Sequence, residues 1–180
     1  MNSKKELRNP AKEIRSKINM HDISKLIIAK LLNTSVWQNS KNIALYYPFG
    51  SEINLTPLFD ENKNFYLPKI FGDTMNFCPY KTGDVLKENI YGIKEPQTEV
   101  IAPKITDLII LPALMADVNG NRLGYGKGYY DKFLTLNKIK AAKVVLIPHE
   151  LLLENLPCDT WDVKSDLIIT QFHVYEIINK

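Results

Sequence analysis

The sequence predicts an α/β protein: a single domain spanning residues 1–180, with a central, mostly parallel sheet covered by helices on both faces and a loop-rich, β-containing middle segment. Three observations carry this. Leu108–Leu111, Val144–Ile147 and Leu167–Thr170 are continuous apolar runs separated by loop or helical stretches, the pattern of strands buried on both faces. Leu7, Ala11, Ile14 and Ile18 recur at helical spacing. Asn64–Pro68 and Met75–Tyr80 are short, aromatic-rich segments bounded by Gly and Pro, as β-strands are.

The elements follow in order. An amphipathic helix is predicted from about Ser3 to Asn19, where Ser3 and Glu6 have capping-box spacing. Pro10 leaves two versions open: a helix from Ser3 kinked at Pro10, or one capped by Asn9 with Pro10 at its first position. A second helix runs from about Asp22 to Leu32, with Ile23, Leu26, Ile27 and Leu31 facing the core. Ile43–Tyr47 reads as a strand stopped by Pro48, and Leu55–Phe59 as a short helix. Lys81–Asp84 is a turn, and Tyr91–Lys104, with Gly92, Pro96 and Pro103, is expected to be mostly irregular.

The most informative stretch is Asp117–Leu134. After the Leu108–Leu111 strand it places glycine at alternate positions, Gly124, Gly126 and Gly128, before a helix predicted over Tyr129–Leu136. Glycine lets a backbone adopt positive φ and bring N–H groups close to a ligand. A helix N-terminus beyond it adds unpaired donors and partial positive charge, which suit phosphate. Arg122 and Lys127 add full charge, and Asp131 stands where a Mg²⁺ accompanying the phosphate would be held. The spacing is neither that of the P-loop nor that of the dinucleotide fingerprint. In open α/β sheets, ligands collect at the carboxyl ends of strands. The glycine loop, Pro48–Glu52, Pro148–His149 and Thr170–Gln171 all follow strands and are expected to converge on one crevice.

Bulk properties agree. The chain is 45% hydrophobic and 24% charged, typical of a soluble globular protein. A net charge of +3 is too small to argue for nucleic acid and suits anionic small ligands. Cys78 and Cys158 lack metal or redox spacing and read as reduced thiols; His21, His149 and His173 form no ligand set. No stretch spans a bilayer and no signal-peptide pattern is present, so a cytoplasmic protein is expected.

The run Arg122-Leu-Gly-Tyr-Gly-Lys-Gly-Tyr-Tyr-Asp131 resembles the signature of the 5-formyltetrahydrofolate cyclo-ligase family, also called methenyltetrahydrofolate synthetases. Weaker matches lie in order along the chain: Lys4-Lys5-x-Leu7-Arg8, Tyr46-Tyr47-Pro48 with Glu52-Ile53, Leu67-Pro68-Lys69, Tyr91-Gly92-Ile93-x-Glu95-Pro96, Leu111-Pro112-Ala113, Asp117-x-x-Gly120, and Asp162-x-x-x-Asp166. The resemblance implies ATP- and Mg²⁺-dependent closure of 5-formyltetrahydrofolate to 5,10-methenyltetrahydrofolate, through phosphoryl transfer to the formyl oxygen. It implies ATP contacts from Lys4, Lys5, Arg8 and the loop Arg122, Leu123, Gly124, Tyr125, Gly126, Lys127, Gly128, Tyr129 and Tyr130. Arg122 and Lys127 would offset charge on the transferred phosphoryl, and Asp131 and Asp162 would hold Mg²⁺, with Asp166 as a fallback. Folate contacts are implied for Arg8, Phe49, Glu52, Asn54, Tyr125, Gly126, Lys127, Gly128 and Tyr129. Lys69 is a further phosphate candidate, and His149 a candidate for the crevice wall. The expected partners are these small molecules alone, with no nucleic acid or membrane, acting on a monomer. Another ATP-dependent ligase or kinase, a binding module without turnover, and a basic nucleic-acid binder relying on the lysine-rich first helix are the competing readings.

Overall fold

The computed structural model describes residues 3–178. In chain order it contains helices α1 (Lys4–Lys17), α2 (Met20–Leu32) and α3 (Ser35–Asn39), strand β1 (Asn42–Ala44), a 3₁₀ turn (Thr56–Asp60), and β2 (Asn64–Phe71), β3 (Thr74–Tyr80), β4 (Leu86–Glu88) and β5 (Lys94–Pro96). Then come a 3₁₀ turn (Pro103–Ile105), β6 (Leu108–Leu111), β7 (Met115–Asp117), β8 (Arg122–Leu123), α4 (Tyr129–Leu136), β9 (Ala142–Leu146), β10 (Leu152–Leu153), β11 (Leu167–Ile169) and β12 (Val174–Glu176).

The main sheet has seven strands in the order β12-β11-β9-β6-β1-β2-β3. Pairings from β11 through β2 are parallel, and the two edge strands, β12 and β3, are antiparallel. Side chains alternate between faces with period two. Ile43, Leu108, Ile110, Val144, Leu146 and Ile169 pack with Ile27 and Leu31 of α2 and Trp37 of α3. Ala44, Ile109, Leu111, Val145 and Ile168 pack on the other face with Ala11 of α1 and Phe133 and Leu134 of α4. The expected α/β layering, with a mostly parallel sheet covered on both faces, is what the chain adopts.

The helix starts follow local chemistry. Ser3 and Glu6 form the reciprocal capping box, so α1 starts at Lys4 and carries Pro10 inside it. Pro10 and Glu6 are both exposed. The Glu6 carbonyl that a residue-10 N–H would have met therefore lies on the solvent side, where water satisfies it. α2 starts earlier than its apolar periodicity implies, because the Asn19 side chain caps it through the Asp22 N–H.

Several expectations need correction. The Leu55–Phe59 helix is a 3₁₀ turn over Thr56–Asp60 with Pro57 at its start. The Tyr91–Lys104 stretch is not simply irregular: Lys94–Pro96 forms β5 and pairs with β4. β2 continues past Pro68 to Phe71 in register with β3. The polar loop after β6 contributes β7 and β8 to a small second sheet, β10-β7-β8, whose hub is Asp117. Fully buried, Asp117 accepts hydrogen bonds from the N–H groups of Asn119 (2.9 Å), Asn121 (2.9 Å) and Leu156 (2.8 Å) and from Asn121 Nδ2 (2.8 Å). Gly120, at φ +88°, closes this turn where a Cβ would lie 2.9 Å from the Ser165 carbonyl oxygen. Asp117→Ala strands four donors and is expected to lower unfolding free energy by about 3 kcal/mol or more in urea titrations. An unchanged midpoint would remove the hub role.

Candidate active site

A cleft of about 960 Å³ lies over the carboxyl side of β1, β2 and β6 and under α1. Pro48–Glu52 reaches it from after β1, Pro112–Leu114 from after β6, and the glycine loop from after β8. Pro148–His149 and Thr170–Gln171 do not line it. There the His149 N–H donates to Gln171 Oε1 (2.8 Å) and its ring packs edge-on against Phe172, so the expected convergence holds for two of the four segments.

Gly126 and Gly128 have φ of +99° and +70°, whereas Gly124 does not take a left-handed conformation. Gly128 directly precedes α4, which has no side-chain N-cap. The helix's first N–H groups are thus left without side-chain partners beside the cleft. A Cβ on Gly126 would lie 3.0 Å from Arg8 Cζ, and Arg8 Nε donates to the Gly124 carbonyl at 3.0 Å. Arg8 is therefore the splint that holds the loop open. Lys127 Nζ sits 5.0 Å from the centre of the Tyr91 ring. Tyr129 reaches across to the Gly72 carbonyl, and Lys132 of α4 pairs with Asp73 at 2.7 Å, which fastens the β2–β3 hairpin over α4.

The acidic corner lies beside α4. Asp131 Oδ1 accepts from Arg122 Nη2 (2.9 Å) and from the Val163 N–H (3.0 Å). Arg122 also donates to the Val163 carbonyl at 2.7 Å and is buried, so its guanidinium ties Asp131 to the Val163 backbone, one residue beyond Asp162. Asp162 accepts from the Asp159 N–H (2.7 Å) and from Lys4, which also binds Asp159 at 2.7 Å. Burial opposes the charge on Lys4, but its hydrogen bonds to Asp159 and Asp162 outweigh it and raise its pKa. Asp131 and Asp162 both line the cleft. No cluster of three or more His, Cys, Asp or Glu suited to a metal occurs among the described residues. Two carboxylates lining one cleft with the glycine loop fit the donor chemistry of Mg²⁺, which takes one or two carboxylates and completes its shell with water and phosphate oxygens.

The opposite end is built around Arg15, which sequence reasoning reads only as part of a basic helix. It is 2% exposed; Nη1 donates to the Ser51 carbonyl at 3.0 Å and Nη2 to that of Ala113, while Nε has no partner. One buried cation thus ties together the loops after β1 and β6. Beside it, Glu52 accepts from the Phe49 N–H at 2.9 Å and lies next to the Tyr125 hydroxyl. Burial raises the Glu52 pKa; the Phe49 N–H, Tyr125 and the positive charge of Arg15 counter it in part. Burial also pushes the Tyr125, Tyr46 and Tyr130 hydroxyls upward, and the Tyr130 hydroxyl has no hydrogen-bond partner.

Other expected site residues fall elsewhere. Lys5 is exposed and does not line the cleft, since it sits one residue off the Lys4–Arg8 face of α1. Leu123 is 1% exposed in β8, paired to Met115. The Asn54 side chain accepts from the N–H (3.1 Å) and hydroxyl (2.8 Å) of Thr56 and does not line the cleft. Lys69 faces away because Pro68 and Ile70, its strand neighbours, face in. Asp166 pairs with Lys143 at 2.7 Å and accepts its N–H at 2.8 Å, a strand-start role. Tyr91 and Ile93 do line the cleft, held there by buried Glu95, which accepts from the Ile70 N–H (3.0 Å) and Asn89 Nδ2 (2.7 Å).

A mostly parallel sheet with a splinted glycine loop, an uncapped helix start and two carboxylates in one cleft defines an α/β protein with its candidate site at the strand ends. The family model for the 5-formyltetrahydrofolate cyclo-ligase family matches residues 1–171. The chain is 32% identical to the 5-formyltetrahydrofolate cyclo-ligase of Haemophilus influenzae, covering 91% of this chain and 96% of that protein. It is 29% identical to the Escherichia coli K12 enzyme of the same name, over 74% of this chain and 80% of that one. The solution structure of Aquifex aeolicus 5,10-methenyltetrahydrofolate synthetase superposes with a TM-score of 0.86 at 33% identity, covering 98% of this chain and 94% of that one. The chain belongs to the 5-formyltetrahydrofolate cyclo-ligase family and is an enzyme of that family.

This geometry has consequences for stability and for loop motion. Because burial raises the Glu52 pKa, its ionised form costs stability at neutral pH, and that cost disappears as pH falls through the folded-state pKa toward the ordinary carboxylate value. Glu52→Gln is therefore expected to melt higher than the unaltered protein at neutral pH, with the gap closing on acidification. A pH-independent gap would contradict burial as the cause. Gly126→Ala is expected to displace Arg8 and speed amide hydrogen exchange across residues 123–128 several-fold, read by mass spectrometry, while sheet amides stay protected.

Proposed function

We propose that the chain catalyses ATP- and Mg²⁺-dependent conversion of 5-formyltetrahydrofolate to 5,10-methenyltetrahydrofolate, with residues 1–180 acting as one catalytic domain. The observation that carries this reading is the glycine loop lying between the cations of α1 and the Asp131–Asp162 pair, with the Glu52 pocket at its far side. The formyl carbon is a poor electrophile, because the nitrogen lone pair is delocalised into its carbonyl as in a peptide bond. The formyl oxygen attacks the γ-phosphorus of ATP and ADP leaves. Nitrogen 10 then bonds to the activated carbon, phosphate departs with the former formyl oxygen, and the nitrogen-10 proton is lost to solvent.

The chain's work is positioning and charge stabilisation. The N–H groups of Gly124–Tyr130 and Arg8 hold the phosphates. Lys127, whose ammonium rests on the Tyr91 ring, swings onto the transferred phosphoryl, and Arg122 acts through Asp131 rather than by direct contact. Asp131 and Asp162 would hold Mg²⁺, which supplies charge neutralisation on the phosphate oxygens when bound. Glu52 accepts from the pterin amino groups, with Phe49 and Tyr125 against its ring. Among the described residues no helix is long and apolar enough to cross a membrane. We place the enzyme in the cytoplasm as a monomer acting on small molecules, without nucleic acid.

Near-ultraviolet absorbance of the methenyl product, followed with 5-formyltetrahydrofolate and Mg²⁺, is expected to grow only when ATP is present. Lys127→Ala should lower kcat by about 10²–10³ while the protein stays folded, and Asp131→Asn should raise the Mg²⁺ concentration needed for half-maximal rate. Absence of product with ATP bound would move the search to another phosphoryl acceptor.

A further inference from the structure

A second cavity, of about 580 Å³, opens at the amino ends of the neighbouring strands β6 and β9. Lys104, Thr106 and Asp107 reach it from just before β6, and Lys138, Lys140 and Ala141 from just before β9. It lies at the end of β6 opposite to Pro112–Leu114, and none of its lining residues lines the active cleft. Thr106 is 7% exposed, and its hydroxyl is buried with no hydrogen-bond partner. A buried hydroxyl left unpaired costs stability, so it calls for a partner that the chain itself does not supply. Lys104, Lys138 and Lys140 are exposed, and among the described residues none of them pairs with a carboxylate. Lys138 is also the one non-glycine residue among the described residues with a left-handed backbone, at φ +49°. Its N–H donates to the Thr135 carbonyl (3.3 Å), and the Ile139 N–H to that of Leu134 (3.1 Å), which closes the end of α4. The left-handed position of such a helix-ending turn ordinarily takes glycine, because a Cβ there is strained. The chain accepts that strain and keeps an ammonium at this point. Asp107 is the opposing charge, and its Oδ2 is already met by the N–H groups of Lys41 (3.0 Å) and Asn42 (2.8 Å) and by Asn42 Nδ2 (3.3 Å).

We propose that this cavity is a second anion site, separate from the active cleft, which takes a phosphate group carrying two negative charges. A tetrahedral oxyanion has enough acceptor oxygens to meet three ammonium groups and a hydroxyl arriving from two segments. Lysine binds phosphate as a point charge, whereas a planar carboxylate is the better match for the fork of arginine, which the lining lacks. The lining also holds no aromatic ring on which a base could stack. The ligand is therefore inorganic phosphate or a small phosphomonoester rather than a nucleotide. The Thr106 hydroxyl donates to one phosphate oxygen, and Lys104, Lys138 and Lys140 close around the others.

The test follows backbone amide shifts of the whole chain by NMR during titration with inorganic phosphate and, separately, with glycerol 3-phosphate, at constant ionic strength. Amides of residues 104–107 and 138–141 are expected to shift together and to saturate in the millimolar range. Thr106→Val keeps the shape of the side chain, removes the unpaired hydroxyl and should weaken phosphate about tenfold at these amides. Lys138→Gly should weaken it several-fold, yet melt higher than the unaltered protein without phosphate, because the left-handed strain is relieved. In both variants the response of the glycine-loop amides to phosphate should stay as it is in the unaltered protein, which separates this site from the active cleft. Tighter binding of the ester would assign the site to a phosphorylated metabolite, and tighter binding of phosphate to the free ion; either supports it. Shifts that rise without saturating, or that chloride reproduces at the same ionic strength, would mean only screening of surface lysines. Saturable binding unaltered in both Thr106→Val and Lys138→Gly would place the phosphate elsewhere. Either of these results overturns the proposal.

Discussion

A guanidinium with no carboxylate in hydrogen-bonding contact lies buried beneath the cleft. Arg15 donates from Nη1 and Nη2 to main-chain carbonyls of two loops that follow different central strands, and so fixes the concave surface at their carboxyl ends. Burying a cation this way is costly unless its donors are met, and carbonyls from both loops meet Nη1 and Nη2 while Nε stays unmet. The same helix then supplies Arg8 to the glycine loop and Lys4 to the acidic corner. Three positively charged side chains on one helix therefore set the positions of three separate ligand-facing segments. The sheet provides the platform, but α1 gives the cleft its shape.

That dependence explains why the fold is more legible in the sequence than the site. Apolar runs such as Leu108–Leu111 report burial on both faces directly, because every side chain in them must find apolar neighbours. Alternate glycines report a special backbone, and two of the three have left-handed φ. The capping box at Ser3 is also readable, and it settles how Pro10 is accommodated. By contrast, Arg15 looks like any cation in a basic helix until the loops it bridges are in place. Asn54 and Lys69 stand in recognisable segments, yet a side chain's face depends on register and turn geometry that neighbouring residue types do not specify. The small β10-β7-β8 sheet leaves no trace in the sequence pattern because its strands are two or three residues long, too short to show a period.

Arg122 illustrates a second limit. A basic residue at the start of a glycine motif suggests direct contact with phosphate. Its guanidinium lines the cleft and also spans Asp131 and the Val163 carbonyl, so it joins two distant parts of the chain at the acidic corner. The motif marks the residue as important, whereas only the three-dimensional arrangement reveals what it does there. It holds the Asp131 carboxylate against the backbone of Val163.

Two groups lining the cleft are poorly satisfied: the Tyr130 hydroxyl has no partner among the described residues, and Glu52 is held partly desolvated. Such a surface is poorly satisfied when empty, and any molecule that completes it stabilises the folded state by mass action. The survival of the protein in a cell would then track the supply of what it binds, so that starvation for the ligand shortens the lifetime of the enzyme that consumes it.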